Sequence, residues 1–195
     1  MERYIRAQIA DSAATKNAIL ENQELIDVIV NVAKACVDVY RNGKKTILAG
    51  NGGSAADAQH IAAELVGRHG FDRPSIPSLA LTTDTSNLTA IGNDYGYDKV
   101  FSRQLEGMAQ EGDLFIGIST SGNSQNIINA FESARHRGVI TVALVGRDGG
   151  KMGAMADYAI IVPSNATPRI QESHILIGHI LCDIIEKELF GGGVA

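Results

Sequence analysis

Ser119-Thr120-Ser121-Gly122-Asn123-Ser124 stands between the apolar run Leu114-Phe115-Ile116-Gly117-Ile118 and the helical pattern Ile127-Ile128-Ala130-Phe131. Four hydroxyls and a glycine therefore occupy the point where a buried strand hands over to a helix. Such a junction gathers free backbone N–H groups and the positive end of a helix dipole, which together favour a phosphate. A second loop of this kind, Gly50-Asn51-Gly52-Gly53-Ser54, follows the strand-like Thr46-Ile47-Leu48-Ala49. One Ser/Gly loop is ordinary turn and N-cap chemistry. Two at equivalent positions point to a phosphorylated ligand at the carboxyl ends of a parallel sheet.

Working outward, strands and helices alternate. Strands are predicted at Lys45–Ala49, Ser78–Leu81, Asp113–Ile118, Val139–Val145 and Tyr158–Val162. Helices are predicted at Ser54–Arg68, Asp84–Ile91, Asp98–Ala109, Ser124–Arg137, Gly150–Ala156 and from Pro168 to about Leu189. The strands are apolar throughout, as expected when both faces are covered. This pattern predicts an α/β three-layer sandwich with a five-stranded parallel sheet. Residues 3–42 carry helical periodicity, with Asn22 as an internal cap and Asn42-Gly43 as the stop. So long a helical stretch before the first strand reads as an N-terminal oligomerisation arm, residues 1–43, on a single domain spanning 1–195. The tail Gly191-Gly192-Gly193 is expected to fray.

Composition narrows the function classes. The 195 residues suit one domain with a sizeable core. A net charge of -5 without a Lys/Arg cluster argues against a broad nucleic-acid face. The start, Met1-Glu2-Arg3-Tyr4-Ile5-Arg6, lacks the apolar core of a signal peptide, and no apolar run is long enough to span a bilayer. Cys36 and Cys182 lie inside helical patterns as small buried apolar side chains, so a disulfide framework is not expected and a cytoplasmic setting fits.

Candidate chemistry lies on two helices. His60 and Glu64, spaced i, i+4, project from one face of the helix after the glycine loop. They can grip one divalent metal, share a proton, or form a plain surface ion pair. The last helix carries Gln171, Glu172, His174 and His179 among apolar positions. Gln171 and His179 lie about two turns apart, and His174 competes with His179 for any role. Imidazole and carboxylate suit zinc; an amide oxygen is a rarer ligand. His69 and His136, near helix ends, read as solvated caps. Gly50-x-Gly52-x-x-Ala55 fits a loose dinucleotide fingerprint, but Asp84, the first acidic residue after the second strand, comes too late for it. Asn93-Asp94-Tyr95-Gly96-Tyr97 reads as a polar loop, able to cover a polyol or simply to join helices.

These motifs together resemble the bacterial phosphoheptose isomerase family, of the sugar isomerase (SIS) domain superfamily with its flavodoxin-like sheet. The similarity runs over nearly the whole chain. It is carried by Ala49-Gly50-Asn51-Gly52-Gly53-Ser54-Ala55-Ala56-Asp57-Ala58-Gln59-His60, Leu81-Thr82-Thr83-Asp84 and Thr89-Ala90-Ile91-Gly92-Asn93-Asp94-Tyr95-Gly96. Ser119-Thr120-Ser121-Gly122-Asn123-Ser124 and Arg169-Ile170-Gln171-Glu172 complete it. The resemblance implies interconversion of sedoheptulose 7-phosphate and D-glycero-D-manno-heptose 7-phosphate, a homotetramer with active sites near subunit interfaces, and one zinc per subunit. The implied zinc ligands fall on His60, Glu64, Gln171 and His179. The implied phosphate site falls on Ser119, Thr120, Ser121 and Ser124, and further sugar contacts on Asn51, Gly52, Gly53, Ser54, Asn93 and Asp94, with Glu64 and Gln171 also facing the sugar. Glu64 is the candidate base and His179 the complementary acid. Some members have an acidic residue before Arg-Ile-Gln-Glu where this chain has Pro168. An acid/base assistant from that position is therefore not expected.

The competing reading is a non-enzymatic SIS protein that binds the replication initiator. That relative lacks the last-helix histidine and carries arginine within the Ser-Thr-Ser triplet, so His179 and Ser121 favour the isomerase. A sugar-phosphate-sensing domain of a transcriptional regulator is a further alternative, but no helix-turn-helix is appended here.

Overall fold

A computed structural model describes residues 1–191. Five strands, β1 (Thr46–Gly50), β2 (Ser78–Ala80), β3 (Leu114–Ser119), β4 (Ile140–Gly146) and β5 (Tyr158–Val162), form one sheet in the order β2-β1-β3-β4-β5. Every pairing is parallel, as the unbroken apolar strands predict. Register places Leu48, Ile116 and Val142 side by side on one face, and Ile47, Phe115 and Thr141 on the other.

Among the described residues, eight α-helices accompany the strands: α1 (Glu2–Leu20), α2 (Gln23–Arg41), α3 (Gly53–Val66), α4 (Thr85–Tyr95), α5 (Ser102–Met108), α6 (Gln125–His136), α7 (Gly150–Met155) and α8 (Thr167–Glu186). One core layer joins α2, α3 and α8 to the first face through Val32, Cys36, Ile61, Leu65, Ile177 and Leu181. The opposite layer joins α5, α6 and α7 through Leu105, Ile127, Phe131 and Met152. The sandwich has three layers, as expected. Cys36 and Cys182 are both buried and unbridged, and burial pushes each thiol up to about 12. No helix of the described residues is long and apolar enough to cross a membrane.

The N-terminal stretch divides at Asn22, whose side chain accepts the Leu25 N–H at 3.0 Å and restarts the helix. The two halves differ in environment. Helix α2 belongs to the core layer, burying Leu25, Ile29, Val32, Ala33, Cys36, Val37 and Val39. Helix α1 buries only Thr15 and Ile19, and leaves Tyr4, Ile5, Ile9 and Leu20 exposed.

Two predicted boundaries are corrected: the helix expected over Asp98–Ala109 is a 3-10 turn, Tyr97–Lys99, followed by α5 from Ser102, and α4 runs further than expected. Asn93, Asp94 and Tyr95 are not loop but the last turn of α4, which begins behind the Asp84 cap (Asn87 N–H to Asp84 Oδ1, 2.9 Å). The helix continues until Gly96, where φ of +85° ends it at little cost. Gly191 closes a π-helical turn, Lys187–Gly191, rather than fraying; Gly192 and Gly193 lie outside the described residues.

His174 is fully buried on α8, beside the Val145 backbone, with neither ring nitrogen in a full hydrogen bond. Burial lowers its pKa from 6.5 to about 4. The neutral ring is therefore favoured by the fold. Its stabilising contribution is complete above pH 6.5 and is lost as the pH falls from 6.5 toward about 4, because the unfolded chain takes up the proton first. Urea unfolding should show a loss of about 1 kcal/mol between pH 7.5 and pH 5.5 from this group. A His174→Leu variant should lose that slope; an unchanged slope would place the titration elsewhere.

Candidate active site and metal centre

The sheet order makes β1 and β3 neighbours whose following helices leave on opposite faces: α3 on one, α6 on the other. Between them lies a topological switch point, where α/β folds bind ligands. The two polar loops of the sequence meet here. Asn51 and Asn126 lock them together: Asn51 Nδ2 donates to Asn126 Oδ1 at 2.9 Å, and Asn126 Nδ2 returns the bond to Asn51 Oδ1 at 2.9 Å. Tyr97 adds its hydroxyl to Asn51 Oδ1 at 3.2 Å. Asn126 is buried in the first turn of α6, and nothing in the sequence distinguished it from an ordinary helix-start residue.

The serine loop forms a compact hydroxyl cluster. The hydroxyls of Ser119 and Ser124 are 2.9 Å apart, and those of Ser119 and Ser121 are 3.5 Å apart. Ser124 is the N-cap of α6, yet its side chain makes no cap hydrogen bond because it faces Ser119 instead. The first amides of α6 are left unclaimed by it, which is the arrangement an anion needs. Thr120, half-buried, follows Ser119. Gly122 holds φ of +65°, and a β-carbon there would strike the Gly149 carbonyl oxygen at 2.0 Å. Helix α7 backs the loop through the Met152 N–H to Gly122 O bond of 2.9 Å.

On the other side of the sheet, α3 and α8 lie against each other. A β-carbon on Gly178 would stand 2.6 Å from Ile61 Cδ1, and one on Gly53 would stand 2.5 Å from Gln171 Nε2. Gln171 thus meets the first turn of α3, while His179, about two turns later on α8, meets His60, about two turns later on α3. The helices run in the same direction, and this alignment brings sequence-distant side chains to one place.

His60 Nε2 lies 3.0 Å from His179 Nε2 and 3.1 Å from Glu64 Oε1. Ligand atoms of His60, Glu64 and His179 all lie within 4.8 Å of one another. Two imidazole nitrogens on one tetrahedral zinc stand about 3.3 Å apart, so the trio's donor types and spacing fit such an ion. A depression of about 290 Å³ beside the trio is lined by His60, Ala63, Glu64, Gly67 and Arg68. His174, the sequence-level competitor, is in the core and cannot reach this surface.

Three further groups were not singled out in the sequence as part of this site. His69 is no free cap: its Nδ1 is 3.3 Å from Glu64 Oε2, and its ring centroid is 5.7 Å from that of His179. Asp57, near one turn before His60, has Oδ2 buried without a hydrogen-bond partner. Burial raises its carboxyl to about 6, against the pull of His60. Arg73 and Glu186, whose side chains are each 1% exposed, pair at 2.9 Å and tie the segment after α3 to the end of α8. Only the tertiary fold shows any of these. Asn93 and Asp94, at the exposed end of α4, bond to each other at 2.8 Å, and Asp94 lines a separate depression with Tyr95 and Arg103. Tyr97, just beyond, is the residue of that segment that reaches the glycine loop.

Comparison with known proteins places this geometry in a family. Residues 9–146 match the family model described as SIS domain. The phosphoheptose isomerase of Sulfurimonas denitrificans is 75% identical over 194 residues, covering 100% of both chains. Phosphoheptose isomerase 2 of Campylobacter jejuni is 57% identical, covering 99% of this chain and 96% of that one. The solved structure of the Neisseria gonorrhoeae phosphoheptose isomerase superposes with a TM-score of 0.90 at 45% identity, covering 95% of this chain and 98% of that one. Fold, paired loops and full-length similarity agree, and the chain belongs to the phosphoheptose isomerase family of SIS-domain proteins.

Proposed function

We propose that the chain interconverts D-sedoheptulose 7-phosphate and D-glycero-D-manno-heptose 7-phosphate, the first step of bacterial heptose biosynthesis for lipopolysaccharide core or related glycoconjugates. The observation that carries this reading is the convergence of His60, Glu64 and His179 across α3 and α8. It is joined by the serine cluster at the end of β3.

Aldose–ketose isomerisation moves a proton between adjacent carbons through an enediol. It requires a base at carbon, an acid at the carbonyl oxygen, and relief of developing oxyanion charge. Glu64 takes the proton from the carbon next to the carbonyl and returns it to the neighbouring carbon. His179 donates a proton to the carbonyl oxygen and takes a second one from the hydroxyl on the adjacent carbon, which becomes the new carbonyl. Ser119, Thr120, Ser121 and Ser124 hold the phosphoryl end together with the first amides of α6. Asn51, Gly52, Gly53 and Ser54 present the polar edge of the β1–α3 loop to the sugar chain, with Asn93 and Asp94 as more distant contacts. Gln171 packs against Gly53 in the first turn of α3. His60, Glu64 and His179, with Gln171 as the fourth donor, would hold one zinc ion per subunit. When bound, the ion supplies Lewis-acid polarisation of the sugar oxygens.

The exposed apolar side of α1 supports a homotetramer with its sites near subunit interfaces, and the absence of a membrane-spanning helix among the described residues accords with a cytoplasmic enzyme. The initiator-binding alternative has less support: relatives at 75% and 57% identity over essentially the full chain carry the isomerase name.

Three outcomes test the reading. Glu64→Gln should keep the fold and lose at least about three orders of magnitude in turnover of sedoheptulose 7-phosphate, measured in a coupled assay. Near wild-type turnover by that variant would remove Glu64 as base. Ser119→Ala and Ser124→Ala should each raise KM about tenfold, the loss of one hydrogen bond to a charged group, with smaller effects on kcat. Chelation should abolish turnover and zinc should restore it, with metal analysis giving one zinc per protomer; full activity in metal-free protein would exclude the ion.

A further inference from the structure

We infer that His69 is a positioning residue for Glu64, holding the carboxylate oxygen that His60 leaves free. This rests on the reading of Glu64 as base and metal ligand. The two oxygens of Glu64 face different imidazoles: Oε1 lies 3.1 Å from His60 Nε2, and Oε2 lies 3.3 Å from His69 Nδ1. Both Glu64 and His69 are about three-quarters buried, with side chains 25% and 23% exposed. His69 is absent from the trio whose ligand atoms converge. It meets Glu64 through Oε2, the oxygen that does not face His60, and its ring centroid is 5.7 Å from that of His179.

The segment that carries His69 is anchored from several directions. Its own backbone N–H donates to Glu186 Oε1 at 3.1 Å, and the next N–H, of Gly70, donates to Glu186 Oε2. Arg73, paired with Glu186, also donates to the carbonyls of Glu64 (2.8 Å) and Leu65 (2.7 Å). One buried guanidinium therefore fixes both the backbone of Glu64 and the segment that presents His69 to its side chain. A surface histidine meeting a carboxylate by chance would have no such support.

Toward a carboxylate, Nδ1 must carry the proton, so His69 is the donor and Glu64 Oε2 the acceptor of this bond. A bond to one oxygen fixes the plane of the carboxylate and keeps the other oxygen aimed at His60 and His179. Supporting bonds of this kind typically account for about 10–100-fold in metal affinity or activity.

The test compares His69→Phe, which keeps a ring without a donor, with His69→Asn, which keeps a donor near the Nδ1 position. His69→Phe should lower kcat about 10–100-fold, leave KM within about twofold, and weaken zinc about 10–100-fold in chelator competition. His69→Asn should stay within about threefold of wild type in all three. Wild-type kcat and zinc affinity in His69→Phe would overturn the inference, as would equal loss in both folded variants. Nitrogen NMR of the metal-free wild-type protein gives a reading that needs no stable variant. His69 is expected as the Nδ1–H tautomer, and the Nε2–H tautomer would overturn the assignment. A wild-type protein that turns over without zinc would remove the metal reading, leaving kcat and tautomer to judge His69. A wild-type protein that binds zinc but does not isomerise the heptose would remove the proposed reaction, leaving affinity and tautomer to judge it.

Discussion

The close parallel packing of α3 on α8 is the constraint on which the rest of the site depends. Gly178 lets α8 approach Ile61 without a side chain between them, and Cys182 lies against the Ile61 carbonyl one turn further on. At that separation His60 and His179 face each other at 3.0 Å. Neither helix contributes a complete donor set alone. His60 and Glu64 belong to α3, His179 to α8, and the interaxial spacing is part of the chemistry.

A second requirement is that polar groups near the site be held without cost to the fold. Burying a charge is unfavourable unless it is paired and hydrogen-bonded. Glu186 meets that condition with the Arg73 guanidinium and the amides of His69 and Gly70, which outweigh burial and leave its carboxyl below the usual range. Asn51 and Asn126 meet it through two reciprocal bonds across the switch point. The two locks serve different ends of the site: one steadies the residues around Glu64, the other joins the glycine loop to the serine loop.

Much of the architecture was legible because it repeats local patterns. Apolar runs bounded by glycine and polar residues marked all five strands to within about a residue, since a strand covered on both faces has no polar alternation to confuse its limits. Asn22 announced the break between α1 and α2 through its capping chemistry. The end of α4 was set too early because Asn93 and Asp94 have the composition of a turn, yet the helix runs on until Gly96 offers a left-handed exit. The spacing of His60 and Glu64 named a candidate pair but by itself pointed no further than a surface ion pair.

Between His174 and His179 periodicity could not choose, since the two project about 140° apart on one helix and either face is plausible until the helix is docked. Docking buries His174 in the core and turns His179 to His60. The same applies to His69, whose neighbour on the chain says nothing of Glu64 Oε2. From sequence alone came the parallel sandwich, the two anion-suited loops and the residue types needed for metal and proton transfer, all of them properties of short windows. Which histidine joins the glutamate, which supports it and which is core were decided only by the tertiary structure, because proximity across two helices depends on rotation and separation that no local window encodes.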